Sequence, residues 1–209
     1  MPDYLRPAIT RELVPILKQA GFTRSKPAHF LRADGDILHS IALIRSRYGG
    51  DNLMLAYRIG LLYDPLLDID NQPAGLGDII QNRGWYAATE KDAQQSLAAI
   101  RDDCIAHILP WLAAHNSIPA YLAAQPDPKQ RSNADDLAYS IARLCDGEDP
   151  AIIRRDCAHL ADPTHYWEIT THETVLMQHA LALVAAIDAG VWQPLLARWA
   201  TENRRHYRL

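Results

Sequence analysis

Histidine and glutamate side chains recur in the C-terminal third of the chain at spacings that could hold a metal ion. His165, His172 and His179 follow one another at seven-residue intervals, and Glu168 lies four residues before His172. Residues four apart share one face of a helix, so Glu168 and His172 could reach one divalent ion. The motif His-Glu-x-x-His is absent, however, and histidines spread over four helical turns span roughly 20 Å, too far for a single ion. We predict no metal here and a solvated or partner-binding helix face.

The other reactive side chains are no better arranged for chemistry. Cys104 and His107 could share a metal, but no second pair of ligands accompanies them. A calcium loop starting at Asp68 would need glycine where Pro73 stands and glutamate where Ile79 stands. The chain also lacks the nucleophile-elbow, P-loop and kinase motifs. We therefore predict no catalytic residue from linear motifs, no metal and no organic cofactor.

The composition excludes several classes of function. The 209 residues include 21 Lys and Arg against 25 Asp and Glu, a net charge of −4. This balance gives no basic surface of the kind that binds nucleic acid. No run of 18 apolar residues is present, so no membrane-spanning helix is predicted. Three widely spaced cysteines and the absence of a signal-peptide apolar core indicate a cytoplasmic protein.

The first half of the chain predicts helices around a small sheet. A helix is expected from about Ala8 to Ala20, with either a kink or a late helix start at Pro15 because proline removes a backbone donor. Strands at 28–33, 36–47 and 53–63 follow, and the pair Asp34-Gly35 predicts a type I′ hairpin turn. Such a turn would place Phe30 opposite His39. The expected architecture is a three-stranded antiparallel meander covered by helices.

The rest of the chain predicts helices only. Thr89 and Asp92 have the spacing of a capping box, which starts a helix that reaches about His115. The segment 125–133 contains two prolines and charged residues and is the predicted linker. The domain prediction is an α+β domain at 1–125 and a helical domain or extension at 134–209. Asp162-Pro163 is expected to open the longest helix, which would carry the three histidines.

Short motifs in the first half, read in order, resemble a bacterial family, domain-of-unknown-function family 4304. The shared pattern is a helix ending in leucine, then Gly-Phe, basic residues, an aromatic-x-Arg strand, a hairpin, an apolar strand, a tryptophan and a long helix. In this sequence it is carried by Leu17, Gly21-Phe22, Arg24, Lys26, Phe30-Leu31-Arg32, Asp34-Gly35, 37–46, Trp85 and 89–115. The resemblance covers about residues 8–115. It implies a bacterial α+β domain, antitoxin-like or an accessory partner of a secreted effector, and transfers no catalytic residue.

These observations favour a protein that binds another protein without catalysis. The most concrete form of this prediction is a cytoplasmic immunity protein that sequesters a bacterial toxin or effector. Two alternatives stay open: a hydrolase-type enzyme whose site is assembled from distant residues, and an adaptor or scaffold protein. The predicted partner-binding residues are an acidic run and a polar helix face, which comprise Asp146, Glu148, Asp149, His165, Glu168 and His172.

Overall fold

The computed structural model describes residues 4–45, 51–69, 76–80 and 84–209. The chain forms two compact units. Unit 1 comprises Met1–Gly60, Ile69–Asn116 and Tyr207–Leu209, and unit 2 comprises Leu61–Asp68 and Ser117–His206. The predicted domains at 1–125 and 134–209, with their linker at 125–133, stay a prediction.

Two short helices begin unit 1, in place of the single helix that the sequence predicts. Helix α1 is Leu5–Glu12 and helix α2 is Val14–Gln19. The break falls at Leu13, and Pro15 lies in the first turn of α2, where its missing N–H removes no intrahelical bond. Gly21 follows with φ +84°, the left-handed conformation that ends a helix.

Within the described part of unit 1 the sheet has five strands, so the prediction of a three-stranded meander is wrong in strand number. Strands β2, β3 and β4 correspond to the three predicted ones. The sheet order follows the chain, and the strands are β1 Thr23–Lys26, β2 His29–Asp34, β3 Ile37–Arg45, β4 Leu53–Leu61 and β5 Leu76–Ile80. The two missed strands are short and lie at the sheet edges, and their sequences do not alternate between apolar and polar residues. The α+β class and the antiparallel pairing are confirmed.

The hairpin between β2 and β3 turns one residue later than predicted. Asp34 pairs with Ile37, so the two turn residues are Gly35 and Asp36, and Phe30 lies opposite Ile41 rather than His39. Gly35 has φ +58°, whereas Asp36 is not at positive φ. This matches a type II′ turn, which needs glycine only at its first central position.

One long helical segment follows the sheet, and its C-terminal end contacts a face of the sheet. It consists of α3 Glu90–Asp103, a π-helical turn Cys104–Ile108 and α4 Leu109–Ala114. The predicted capping box of Thr89 and Asp92 is present at its start. Pro110 lies two residues after the end of the π-turn, and a wider turn is one way in which a helix accommodates a proline. Trp111 of α4 contacts the ring of Tyr57 on β4, with ring centroids 5.1 Å apart.

Unit 2 is helical. Its helices are α5 Ile118–Ala123, α6 Asn133–Cys145, α7 Pro150–Leu160, α8 Thr171–Asp188 and α9, whose span is Trp192–Tyr207. The prediction of one helix opening at Asp162-Pro163 is wrong. Asp162 caps only a 3-10 turn, Pro163–His165, and α8 starts later at a capping box formed by Thr170 and Glu173. His165 is therefore not on the same helix as His172.

Candidate functional site

The segment between α7 and α8 displays a tryptophan to solvent. Trp167 is fully exposed, and Ile169 is about half exposed. Three of the predicted partner-binding residues surround this tryptophan in sequence: His165 in the 3-10 turn, Glu168 next to the indole, and His172 in the first turn of α8. All three are exposed. We call Trp167, Ile169 and these three residues the Trp167 surface.

The Trp167 surface is held in place by contacts on both sides. Tyr166 donates its hydroxyl hydrogen to the carbonyl of Leu160 at the end of α7. The His165 ring lies 3.7 Å from the ring of His159, and its Nδ1 is 3.1 Å from the His159 carbonyl oxygen. The capping box at Thr170 anchors the other side. The exposed indole therefore belongs to a segment that is anchored by hydrogen bonds on both sides of Trp167.

Two of the three residues in the predicted acidic run form contacts within unit 2. Glu148 forms a bidentate pair with Arg143, at 2.5 Å for each contact, and Arg143 also donates to Asp156 at 2.9 Å. The Arg143 guanidinium lowers the pKa of Glu148. Asp149 caps α7 through the backbone N–H of Ala151.

The acidic run and the Trp167 surface lie at opposite ends of α7. The helix has 11 residues. Its length is therefore about 16 Å at 1.5 Å per residue. Asp146, at the C-terminal end of α6, is exposed and lies near the N-terminal end of α7, away from the Trp167 surface. The six predicted partner-binding residues therefore form two groups and not one patch.

A cavity of about 370 Å³ is lined by residues of α6, α7 and the predicted linker. Arg131 stacks over the Tyr139 ring at 3.9 Å and pairs with Asp136 at 2.8 Å. The arginines Arg131 and Arg143 both have carboxylate partners within unit 2. We interpret this arrangement as packing between helices, because its charges are compensated by the fold itself.

Unit 1 contains a different kind of cavity, on the sheet face opposite to Tyr57. Its volume is about 380 Å³. His29 and Ser40 are buried in its lining, and their Nε2 and Oγ atoms lie 2.7 Å apart. Arg58 of β4 is also buried there, and its Nη1 lies 3.5 Å from the carbonyl oxygen of Ile69. Polar side chains from three strands thus contribute to the lining of this one cavity.

The opposite face of the sheet holds a second buried histidine. His39 accepts a hydrogen bond from Arg32 at Nδ1, 2.7 Å away, and its Nε2 lies 3.3 Å from the carbonyl oxygen of His115. Both ring nitrogens have a hydrogen-bond partner when the ring is neutral and carries its proton on Nε2. Burial, followed by the nearby Arg32 charge, lowers the pKa of His39 to about 4. This histidine is neutral at physiological pH and connects the sheet to the end of α4.

Comparison with known protein families finds one match, in the first half of the chain. Residues 13–114 match the model of a domain of unknown function, DUF4304. The predicted resemblance is confirmed. None of the curated proteins or solved structures compared with the chain is significantly similar to it.

The DUF4304 segment contains every lining residue of the sheet cavity, from Lys26 to Ile69. The Trp167 surface lies outside the segment. Within the described ranges, no three His, Cys, Asp or Glu side chains are grouped as ligands for a metal ion. The described helices also include none that is long and apolar enough to cross a lipid bilayer.

Sequence reasoning missed both Trp167 and the sheet cavity. A tryptophan among polar neighbours, in Tyr166-Trp167-Glu168, was a signal for the first, but the expected helix placed it on a continuous face. For the second, the available signal is the presence of small residues in the predicted strands, among them Ser40, Ala42 and Ala56. In the structure these residues line the cavity.

Proposed function

We propose that this protein acts by binding another protein through the Trp167 surface, most concretely as an immunity protein that sequesters a toxin or effector. The observation that carries the proposal is the full exposure of Trp167 on a segment with ordered contacts. Tryptophan is enriched at the energetic centres of protein interfaces. A monomer gains nothing from an indole left in water, whereas a partner that buries it gains free energy.

The expected gain from covering Trp167 is large for one side chain. An aromatic side chain buries about 150–250 Å² in an interface, worth roughly 4–6 kcal/mol at 25 cal/mol per Å². The contacts of Tyr166 and the capping box at Thr170 reduce the entropy lost when the segment binds. Ile169 extends the apolar area beside the indole.

The exposed carboxylates of unit 2 favour a partner with a basic contact surface. Glu168 lies next to the indole, and Asp146 lies at the far end of α7, outside the Trp167 surface. Carboxylates at the rim of an interface raise the association rate of a basic partner more than they raise affinity. A basic toxin would fit this distribution.

The test is co-expression with the toxin candidate encoded beside this gene, scored by cell survival and co-purification. Trp167→Ala should weaken the complex at least a hundredfold, because it removes the central apolar contact. Its melting temperature should match the parent, since the side chain is fully exposed. Leu181→Ala is the matched control, because Leu181 is an exposed apolar residue on α8. It should leave binding within threefold of the parent.

Two results would decide against this proposal. If the parent neither co-purifies with the candidate nor protects cells, the immunity function is wrong. If the complex forms but Trp167→Ala binds as tightly as Leu181→Ala, the Trp167 surface is not the interface. Co-purification without protection would favour the adaptor alternative instead.

The hydrolase alternative is favoured by one observation, the buried contact between His29 Nε2 and Ser40 Oγ at 2.7 Å. In a serine hydrolase the imidazole takes the hydroxyl proton as the oxygen attacks an acyl carbon. We expect no Ser40-dependent turnover of p-nitrophenyl butyrate. Hydrolysis by the parent that Ser40→Ala abolishes, with an unchanged melting temperature, would replace the binding proposal with the enzyme.

A further inference from the structure

We infer that the surface of unit 1 on which β1 contacts α1 is a second docking site, which takes an acidic segment of a partner protein. The inference goes beyond the proposed function, because the Trp167 surface lies in unit 2 and the carboxylates of unit 2 favour a basic partner. It is carried by two arginines that lie side by side, Arg6 of α1 and Arg24 of β1. We call Arg6, Thr10 and Arg24 the Arg6–Arg24 surface.

Positive charge is concentrated near the start of a chain that is acidic as a whole. Residues 4–33 contain six Lys or Arg and one Asp or Glu, whereas the full chain has a net charge of −4. Arg11 and Arg32 of this segment lie beside carboxylates of unit 1. Within the described part of the chain, three others form no ion pair: Arg6, Lys18 and Arg24. Unit 1 therefore has a local excess of positive charge that attracts acidic groups.

Thr10 brings the two arginines of this surface together. Arg6 and Thr10 are four residues apart on α1, so their side chains share one face of the helix. The Thr10 hydroxyl donates to the carbonyl of Arg6 at 2.9 Å and accepts an N–H of Arg24 at 3.0 Å. The guanidinium of Arg24 is therefore held about one helical turn from the side chain of Arg6. Burial, followed by the charge of Arg6, lowers the pKa of Arg24.

Neutral acceptors hold Arg24 in position without cancelling its charge. Its Nε donates to the carbonyl oxygen of Pro27 at 2.9 Å, and its Nη2 donates to the same oxygen. Arg6 is exposed beside it. Two like charges in this arrangement destabilise the protein, and a carboxylate that lies between them removes the repulsion. Such a carboxylate accepts charge-assisted hydrogen bonds, for which the planar guanidinium is well suited.

The number of cations selects the class of partner. A surface that binds anionic lipid carries about four to eight Lys or Arg, and specific DNA-binding proteins contact roughly six to ten phosphates. The three cations of unit 1 that lack an ion pair among the described residues are too few for either polyanion. An acidic protein segment needs only a few carboxylates to engage Arg6 and Arg24. The small size of the charged surface therefore favours an acidic protein segment.

The probe that tests this inference is a labelled hexaglutamate peptide, titrated into the full chain at low salt and followed by fluorescence anisotropy. Hexaglutamine has the same backbone without the charge, whereas oligothymidylate and vesicles that contain phosphatidylserine carry phosphate charges. We expect saturable hexaglutamate binding that weakens as salt is added, with each of the other probes at least tenfold weaker. Equal binding of hexaglutamine would overturn the role of charge. Tighter binding of oligothymidylate or of vesicles would overturn the assignment to an acidic protein segment.

Variants locate the site. Arg6→Gln should weaken hexaglutamate binding at least fivefold, while the melting temperature stays at or above that of the parent because the repulsion with Arg24 is removed. Lys129→Gln is the matched control, since it removes one positive charge from an exposed position of unit 2. It should leave binding within twofold of the parent. Equal affinities of Arg6→Gln and Lys129→Gln, or no saturable binding to the parent, would overturn the inference.

The Arg6–Arg24 surface and the Trp167 surface fail separately. Trp167→Ala should bind hexaglutamate as the parent does, and Arg6→Gln should bind the toxin candidate as the parent does. Loss of hexaglutamate binding in Trp167→Ala would show that the peptide binds at the Trp167 surface, and the inference would be wrong.

Discussion

Asp64→Asn is expected to make the protein more stable at neutral and alkaline pH. Asp64 is a buried carboxyl in unit 2, and burial is the main reason that its pKa is raised to about 7. One side-chain oxygen accepts the backbone N–H of Leu66 at 2.8 Å, an interaction that an asparagine oxygen can also make. Asn203 donates to the Asp64 backbone carbonyl, which the substitution leaves in place.

The sign follows from where the proton is bound. Between pH 3.8 and about 7 the folded protein keeps the Asp64 proton that the unfolded chain releases. The stabilising contribution of the protonated carboxyl is therefore complete below pH 3.8 and is lost as the pH rises through 7. A shift of this size corresponds to about 4 kcal/mol, because one pKa unit is worth about 1.4 kcal/mol.

The measurement is denaturant unfolding of parent and variant at pH 4 and pH 8. The stability of Asp64→Asn relative to the parent should increase by about 4 kcal/mol between these two conditions. Asp127→Asn is the matched control, since Asp127 accepts the N–H of Lys129 in the same turn geometry from an exposed position. An equal change for both variants would show that Asp64 is not the buried acid.

His39→Gln is expected to remove a loss of unfolding free energy that occurs in acid. The pH dependence that His39 contributes is opposite in sign to that of Asp64. His39 is completely buried, and its pKa is lowered to about 4, chiefly by burial and then by Arg32. Between pH 6.5 and about 4 the unfolded chain binds a proton that the folded protein does not. The neutral His39 ring therefore contributes its full stabilising free energy above pH 6.5. This contribution, about 3 kcal/mol, is lost as the pH falls to 4.

Unfolding free energies at pH 7 and pH 4 test this prediction. Relative to the parent, His39→Gln should gain about 3 kcal/mol on acidification, because glutamine keeps a donor and an acceptor but does not titrate. His107→Gln is the control, as His107 is exposed on the π-helical turn. A parent-like pH profile for His39→Gln would contradict the burial of His39 as a neutral ring.

The two titrations oppose each other, which leads to a joint expectation. As the pH falls from 7 to 4, the protonation of Asp64 increasingly stabilises the folded state, whereas the titration of His39 increasingly destabilises it. Their contributions should largely cancel in the parent. Each single variant should therefore show a steeper pH dependence than the parent, with opposite slopes, and the double variant should show a shallow one.

Local features of this protein could be predicted from the sequence, because the interactions that create them involve neighbouring residues. The capping box of Thr89 and Asp92 joins residues three apart, and Pro15 acts within its own helical turn. The series of short motifs from Leu17 to the helix at 89–115 was sufficient to predict the family resemblance, which the match of residues 13–114 confirms. The existence of the hairpin at Gly35 was also predictable, although its register was not.

Only the tertiary structure decided which side chains are buried together and which are left in water. Strand register places Ser40 beside His29, and packing of the segment after β4 into unit 2 encloses Asp64. The residues next to Trp167 in the sequence do not reveal whether its side chain is packed or exposed. In the structure the 3-10 turn ends at His165, and Trp167 in the segment that follows is exposed. Burial is a sum of contacts from distant parts of the chain, so a local pattern predicts the elements but not the cavity or the exposed indole.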